Sequence, residues 1–135
     1  MKKLILLIMA LLISAQAMAI SCQDAGGMEI KGNNGTVYCK SNRTMNWWTA
    51  MAWCEKIGKT PFSYPKDCAC ETSDGIPCPE TTAGCPNLAG VGGDENIWTS
   101  TPFDTSYAYN VNLSSGNSVY TNATRVSSLY YALCY

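Results

Sequence analysis

Eight cysteines, Cys22, Cys39, Cys54, Cys68, Cys70, Cys78, Cys85 and Cys134, are the side chains of this 135-residue sequence with the most chemistry to offer. Four of them crowd the middle of the chain, spaced Cys-x-Cys, then seven residues, then Cys, then six residues, then Cys. Thiols in such numbers either pair as disulfides or close a four-thiolate zinc site. The chain has no histidine, and the paired Cys-x-x-Cys of zinc ribbons does not occur in it. An even count in a chain that also carries an export signal, described below, favours disulfides. Cys68 and Cys70 are next-but-one neighbours with the wrong geometry to bond each other, so each is expected to reach Cys78 or Cys85. Which goes to which is open.

Catalytic chemistry has little to work with. Without histidine there is no imidazole base, and the aspartates and glutamates cluster in loops rather than on matched strands. A nucleophilic thiol would require one cysteine to stay unpaired. The chain is read as a non-catalytic protein that needs no cofactor. Asp94, Glu95 and Asn96 carry oxygens of the kind that bind a cation, but a solvated turn explains them and is the preferred reading, so no metal ligand is assigned.

Recognition chemistry is better supplied. In "WTSTPFDTSYAYNVNLSSGN", residues 98–117, Tyr107, Tyr109, Val111 and Leu113 alternate with Ala108, Asn110 and Asn112. This is the period of a strand with one apolar and one polar face. Ser114-Ser115-Gly116-Asn117 makes the turn, and residues 118–122, "SVYTN", return as a second strand. Val111 and Leu113 are expected inside, with the asparagines and hydroxyls facing out. Tyrosine offers contact area at low entropic cost, and serine and asparagine offer adaptable hydrogen bonds. The candidate ligand-binding residues are Tyr107, Asn110, Asn112, Asn117, Tyr120 and Asn122. The competing explanation is that Tyr and Thr are common in any exposed strand.

The elements that must position these residues are few. In "MNWWTAMAWCEKIG", Trp47, Ala50, Met51, Cys54 and Ile57 form one apolar stripe at helical period, with Asn46 as N-cap and Gly58 at the end. Trp48 and Trp53 lie off the stripe and are expected to be covered by flanking segments. Ahead of the helix, "MEIKGNNGTVYCKS" reads as two strands around Asn33-Asn34-Gly35. Cys22 precedes this hairpin and Cys39 lies near its end, so a bridge between them would tie down the amino-terminal segment. After the helix, residues 60–96 are rich in Pro, Gly, Asp and Thr without a sustained period and should be irregular loop. Cys134, almost the last residue, has Cys54 on the helix as its natural partner.

Lys2 and Lys3 precede an apolar run from Leu4 to about Ser14, and Ala17-Met18-Ala19 supplies small residues for a signal peptidase. Residues 1–19 are read as a bacterial-style signal peptide and residues 20–135 as a single domain. The run falls short of the roughly 18 to 20 apolar residues that span a bilayer, so a retained anchor is disfavoured. Lipid attachment at Cys22 is disfavoured too, since Ala19-Ile20-Ser21 lacks the usual leucine. The formal net charge is −1, and losing Lys2 and Lys3 makes the rest mildly acidic. Nothing basic is left to grip nucleic acid or a membrane surface. The expected location is secreted, periplasmic or at the cell surface.

The order "YCKSNRTMNWWTAMAWCEKIG", then "IWTSTPFDTSYAYNVNLSSGN", then "YYALCY" resembles the C-type lectin-like domain in the compact form of bacterial exported proteins. In that family a helix carrying Trp, Ala and Cys packs on a sheet, and its cysteine bonds one near the carboxyl end; Trp47, Ala50, Cys54 and Cys134 match those places. Trp98, Thr99 and Ser100 are similar to the tryptophan-hydroxyl segment that begins the late strands. The resemblance implies an α+β fold, with one main helix on short antiparallel strands, the termini close together and a loop-rich binding face. The Glu-Pro-Asn, Gln-Pro-Asp and Trp-Asn-Asp triplets of calcium-dependent sugar binding are absent, so that chemistry is not carried over. "SYAYNVNLSSGNSVYTN" also resembles the diversified segment of retroelement variable proteins. The fold resembles that of formylglycine-generating enzymes as well, which are far longer.

These residues lead to one expectation: an exported, non-catalytic module that binds a glycan or a surface protein through residues 98–125. The alternative is a pilin-like structural subunit of a surface fibre, although the Phe-Thr-Leu-Ile-Glu start of type IV pilins is missing.

Overall fold

The computed structural model describes residues 20–63, 85, 87–114 and 124–135. Six strands and one helix follow in chain order: β1 (Gly27–Lys31), β2 (Val37–Met45), α1 (Trp47–Lys56), β3 (Asn96–Pro102), β4 (Tyr107–Asn112), β5 (Thr124–Arg125) and β6 (Tyr130–Cys134). The strands form one sheet in the order β1-β2-β6-β3-β4-β5. The α+β expectation is met in this form.

The β1–β2 hairpin forms where Asn33-Asn34-Gly35 placed it. Lys31 faces Val37, Gly35 takes φ 86°, and Asn34 Oδ1 accepts the Thr36 N–H at 3.0 Å. The hairpin tip is tied down by the Asn33 N–H, which donates to Asn87 O at 2.8 Å, and by its side-chain amide, which donates to Ala89 O at 3.0 Å. β2 then pairs with β6 and places Cys39 opposite Cys134.

α1 also begins and ends as its sequence dictates. Asn46 Oδ1 accepts the Thr49 N–H at 2.9 Å, satisfying one of the orphan donors of the first turn. At the other end Gly58, at φ 70°, donates to Glu55 O while Lys59 donates to Cys54 O, the pair of hydrogen bonds that closes a helix in a left-handed turn. Ala50, Cys54 and Ile57 of the stripe are buried, and Trp47 and Met51 half-buried. The stripe faces Trp98, Ala108, Ala132 and the Cys22, Cys39 and Cys134 sulfurs.

The sheet has a core on each face. Opposite the helix, Tyr38, Phe62, Leu88, Ile97, Val111, Leu113 and Leu133 pack with Cys85. Strand alternation assigns them: Tyr38 and Cys39 go to opposite faces, as do Ile97 and Trp98, and Leu133 and Cys134. Trp98 is wholly buried, and its indole N–H donates to Met45 O at 2.8 Å, so the largest core side chain leaves no polar atom unmet.

Three expectations are corrected. The strands are not all antiparallel, because β3 and β6 run parallel, with Ile97 opposite Tyr131. A parallel pair needs a crossover, and residues 103–129, which contain β4 and β5, supply it. The polar side of β4 does not face solvent along its length: Ala108 and Asn110 are buried, Asn110 at 3% exposure, because that face of the strand carries the helix-side core. Of the two off-stripe tryptophans, Trp53 is covered and its N–H reaches Ala25 O at 3.1 Å, but Trp48 remains 49% exposed. No segment among the described residues folds over it.

The disulfides Cys22–Cys39 and Cys54–Cys134 both form, with Cα separations of 5.6 and 5.7 Å. Since Cys39 and Cys134 are ladder partners, the two bonds meet at one place in the sheet. The first closes a span of 17 residues and the second a span of 80, worth about 3 and about 4.5 kcal/mol in the chain-entropy picture. Cys85 is disulfide-bonded too; Cys68, Cys70 and Cys78 lie outside the described residues. Disulfides belong to oxidising compartments, and no described helix is long and apolar enough to cross a membrane.

Candidate functional site

The β3–β4 connection is built by one aspartate. Asp104 Oδ1 accepts the N–H groups of Ser106 at 2.7 Å and Tyr107 at 2.9 Å, while the Phe103 and Asp104 N–H groups both donate to Tyr107 O. An aspartate bonding its own backbone two and three residues on fixes a tight turn. Here it delivers Tyr107 to the start of β4. Tyr107 faces Arg125 across the β4–β5 ladder, so the phenol and guanidinium stand side by side on one face.

Around this pair lies a groove of 400 Å³, lined by Thr105, Ser106, Tyr107, Arg125, Val126 and Ser127. Its volume falls within the about 300–1,000 Å³ usual for small-molecule sites. Thr105, Ser106, Arg125 and Ser127 are exposed and Tyr107 is half-buried. The floor is held from below: the Val126 N–H donates to Ser106 O at 2.9 Å, and Val126 O accepts the Trp47 N–H at the start of α1, also at 2.9 Å. The groove is thus bolted to the helix. Among the described residues no carboxylate pairs with Arg125, the ion pair found there being that of Lys40 with Glu95.

At the far end of the β3–β4 ribbon sits a second polar cluster. Asn112 donates its amide to Asp94 Oδ1 at 3.0 Å and to Asn96 Oδ1 at 3.1 Å, and its own Oδ1 accepts the Ser114 N–H and hydroxyl. Asp94 Oδ1 also accepts the Ser114 hydroxyl. Glu95 turns the other way and pairs with Lys40, which is buried at 5% exposure and lies 4.1 Å from the centroid of the Tyr131 ring. The oxygens of residues 94–96 therefore serve as acceptors for neighbouring side chains. A buried ammonium needs its carboxylate, so this pair fastens the loop before β3 onto β2.

Of the six predicted ligand residues, the three that are described are not brought together. Tyr107 lines the β4–β5 groove, Asn112 belongs to the cluster at the opposite end, and Asn110 is buried between them. Asn117, Tyr120 and Asn122 fall outside the described residues. Sequence reasoning missed Arg125, Thr105, Ser106 and Ser127. A signal for Arg125 was present: it is the only lysine or arginine after Lys66. From residue 105 to residue 135 it is also the only Asp, Glu, Lys or Arg, so it has no charged sequence neighbour to neutralise.

A third surface, on the helix side, is a groove of 680 Å³ lined chiefly by Trp48, Met51, Ala52, Glu55, Lys59 and Pro61. Trp48 stacks edge-on against Trp47, with ring centroids 4.7 Å apart, leaving much of its indole in solvent. Compared with protein-family models and with curated proteins, the chain matches none.

Proposed function

We propose that this chain is an exported, non-catalytic binding module with a C-type lectin-like fold, which recognises a glycan or a surface protein through its late strands and loops, residues 98–125. The observation that carries the reading is the exposed groove at the β4–β5 end, where Tyr107, Arg125 and three hydroxyl residues share one surface. Aromatic area beside donors and acceptors suits a ligand that is partly apolar and rich in hydroxyls or amides. Support for the fold comes from the single helix on a sheet and from the Cys54–Cys134 bond that joins helix to terminal strand. The disulfides support a location outside the cytoplasm, in the periplasm, at the surface or in the medium.

The test is capture on a glycan array and on extracted surface proteins, with and without calcium. The triple variant Tyr107→Ala, Tyr120→Ala, Asn122→Ala should keep the native unfolding midpoint and lose capture. Unchanged capture by that variant would move the site away from the late strands. The fibre-subunit reading is favoured by one observation: β1 is an outer strand, with Met28 47% exposed along it. A monomer at high concentration in sedimentation supports the binding module, and open-ended polymers support the fibre.

A further inference from the structure

The groove at the β4–β5 end has a composition that narrows its ligand. It offers one guanidinium, the hydroxyls of Thr105, Ser106 and Ser127, and the phenol ring of Tyr107. Tyr107 and Arg125 are opposed in the ladder, so ring and guanidinium can meet the same ligand without either strand moving. Guanidinium is a rigid planar fork that matches a carboxylate with two parallel hydrogen bonds, and it keeps its charge at every physiological pH. The only other charged group in the turn, Asp104, is occupied by the backbone N–H groups of Ser106 and Tyr107.

Resting on the binding-module reading above, we propose that this groove takes an oligosaccharide bearing a carboxylate, a uronic-acid residue for instance, with Arg125 gripping the carboxylate. The sugar ring lies against Tyr107, and its hydroxyls bond to Thr105, Ser106 and Ser127. A ligand with one negative charge and many hydroxyls meets every group in the groove. An acidic peptide with several carboxylates would call for more than one cation, and the groove supplies one. The chain's net charge of −1 also provides no general attraction for polyanions, so the selectivity rests on the single fork.

The test uses the full mature protein on immobilised oligosaccharides in matched pairs that differ only in ending with glucuronate or glucose. The wild type should retain the glucuronate member at least about tenfold more strongly, the scale of one charge-assisted hydrogen bond, and the preference should shrink as salt is raised. Arg125→Gln should bind both members alike, and Arg125→Lys should recover part of the preference, since the charge returns without the fork. Because Arg125 is exposed, both variants should unfold at the wild-type temperature. Equal retention of the two members by the wild type, or an undiminished preference in Arg125→Gln, overturns the carboxylate assignment and leaves the binding-module reading standing. Retention of neither member overturns the saccharide assignment altogether, and capture of a surface protein then decides the wider reading on its own.

Discussion

The two halves of the sheet are built by different means. The half made of β1, β2 and β6, together with α1 and the turn before β1, holds four of the buried cysteines in two disulfides that converge on the Cys39–Cys134 position. β3, β4 and β5 hold none, and their order depends on a buried tryptophan, side-chain caps and the Lys40–Glu95 pair. The stapled half has its unfolded ensemble restricted covalently, in addition to its packing. The other half has to be held by packing and hydrogen bonds, and its outer end, β5, is two residues long. This difference matches a division between a scaffold and a presenting surface: the surface residues can be changed one by one at little cost, whereas the scaffold residues cannot.

Substitutions that attack the staples should have the largest effect. Replacing Cys54 and Cys134 together by serine removes the bond across 80 residues, and should lower stability by about 4.5 kcal/mol, read as the loss of a large part of the unfolding free energy in a denaturant titration. The Cys22, Cys39 double serine variant should cost about 3 kcal/mol, since its span is shorter. Gly27→Ala attacks the same place by overpacking: a Cβ there would lie 2.8 Å from Lys40 O and 2.9 Å from both the Cys22 and Cys39 sulfurs. A loss of about 2 kcal/mol is expected.

On the other half the effects should fall away. Glu95→Gln strands the buried Lys40 ammonium and should cost about 2 kcal/mol, checked by thermal unfolding, with Lys40→Met in the same background recovering part of the loss. Tyr107→Ala should change stability by less than about 1 kcal/mol while removing ligand capture. If Tyr107→Ala proved as damaging as the loss of the long disulfide, the division between scaffold and surface would be wrong.

Much of the scaffold was legible in the sequence. The helix stripe, its Asn46 cap and Gly58 stop, and the Asn-Gly hairpin are local signals, set by spacing within a turn or two, and the structure places them as read. The two disulfides followed from the position of each cysteine relative to those elements. The candidate site was less legible because its residues come from separate stretches. Alternation along β4 correctly separated Val111 and Leu113 from Ala108 and Asn110, but periodicity reports faces and not what covers them. It could not show that α1 lies over the second face, which buries Asn110. Similarly, nothing local in Ser106 or Ser127 announces that the Val126 to Ser106 hydrogen bond draws them to the same groove. The parallel β3–β6 pair depends on where the chain returns after residue 103, a long-range choice that no short pattern encodes.

The contrast between the halves is tested most directly by native-state amide hydrogen exchange, read residue by residue. Amides of Tyr38 to Ser41 and of Ala132 to Cys134 should exchange only through global unfolding, while those of Tyr107, Ala108 and Arg125 should open locally and exchange at least about tenfold faster. Equal protection in the two sets, or faster exchange at the disulfide-bearing strands, would contradict a covalently fixed scaffold carrying a more loosely held binding edge.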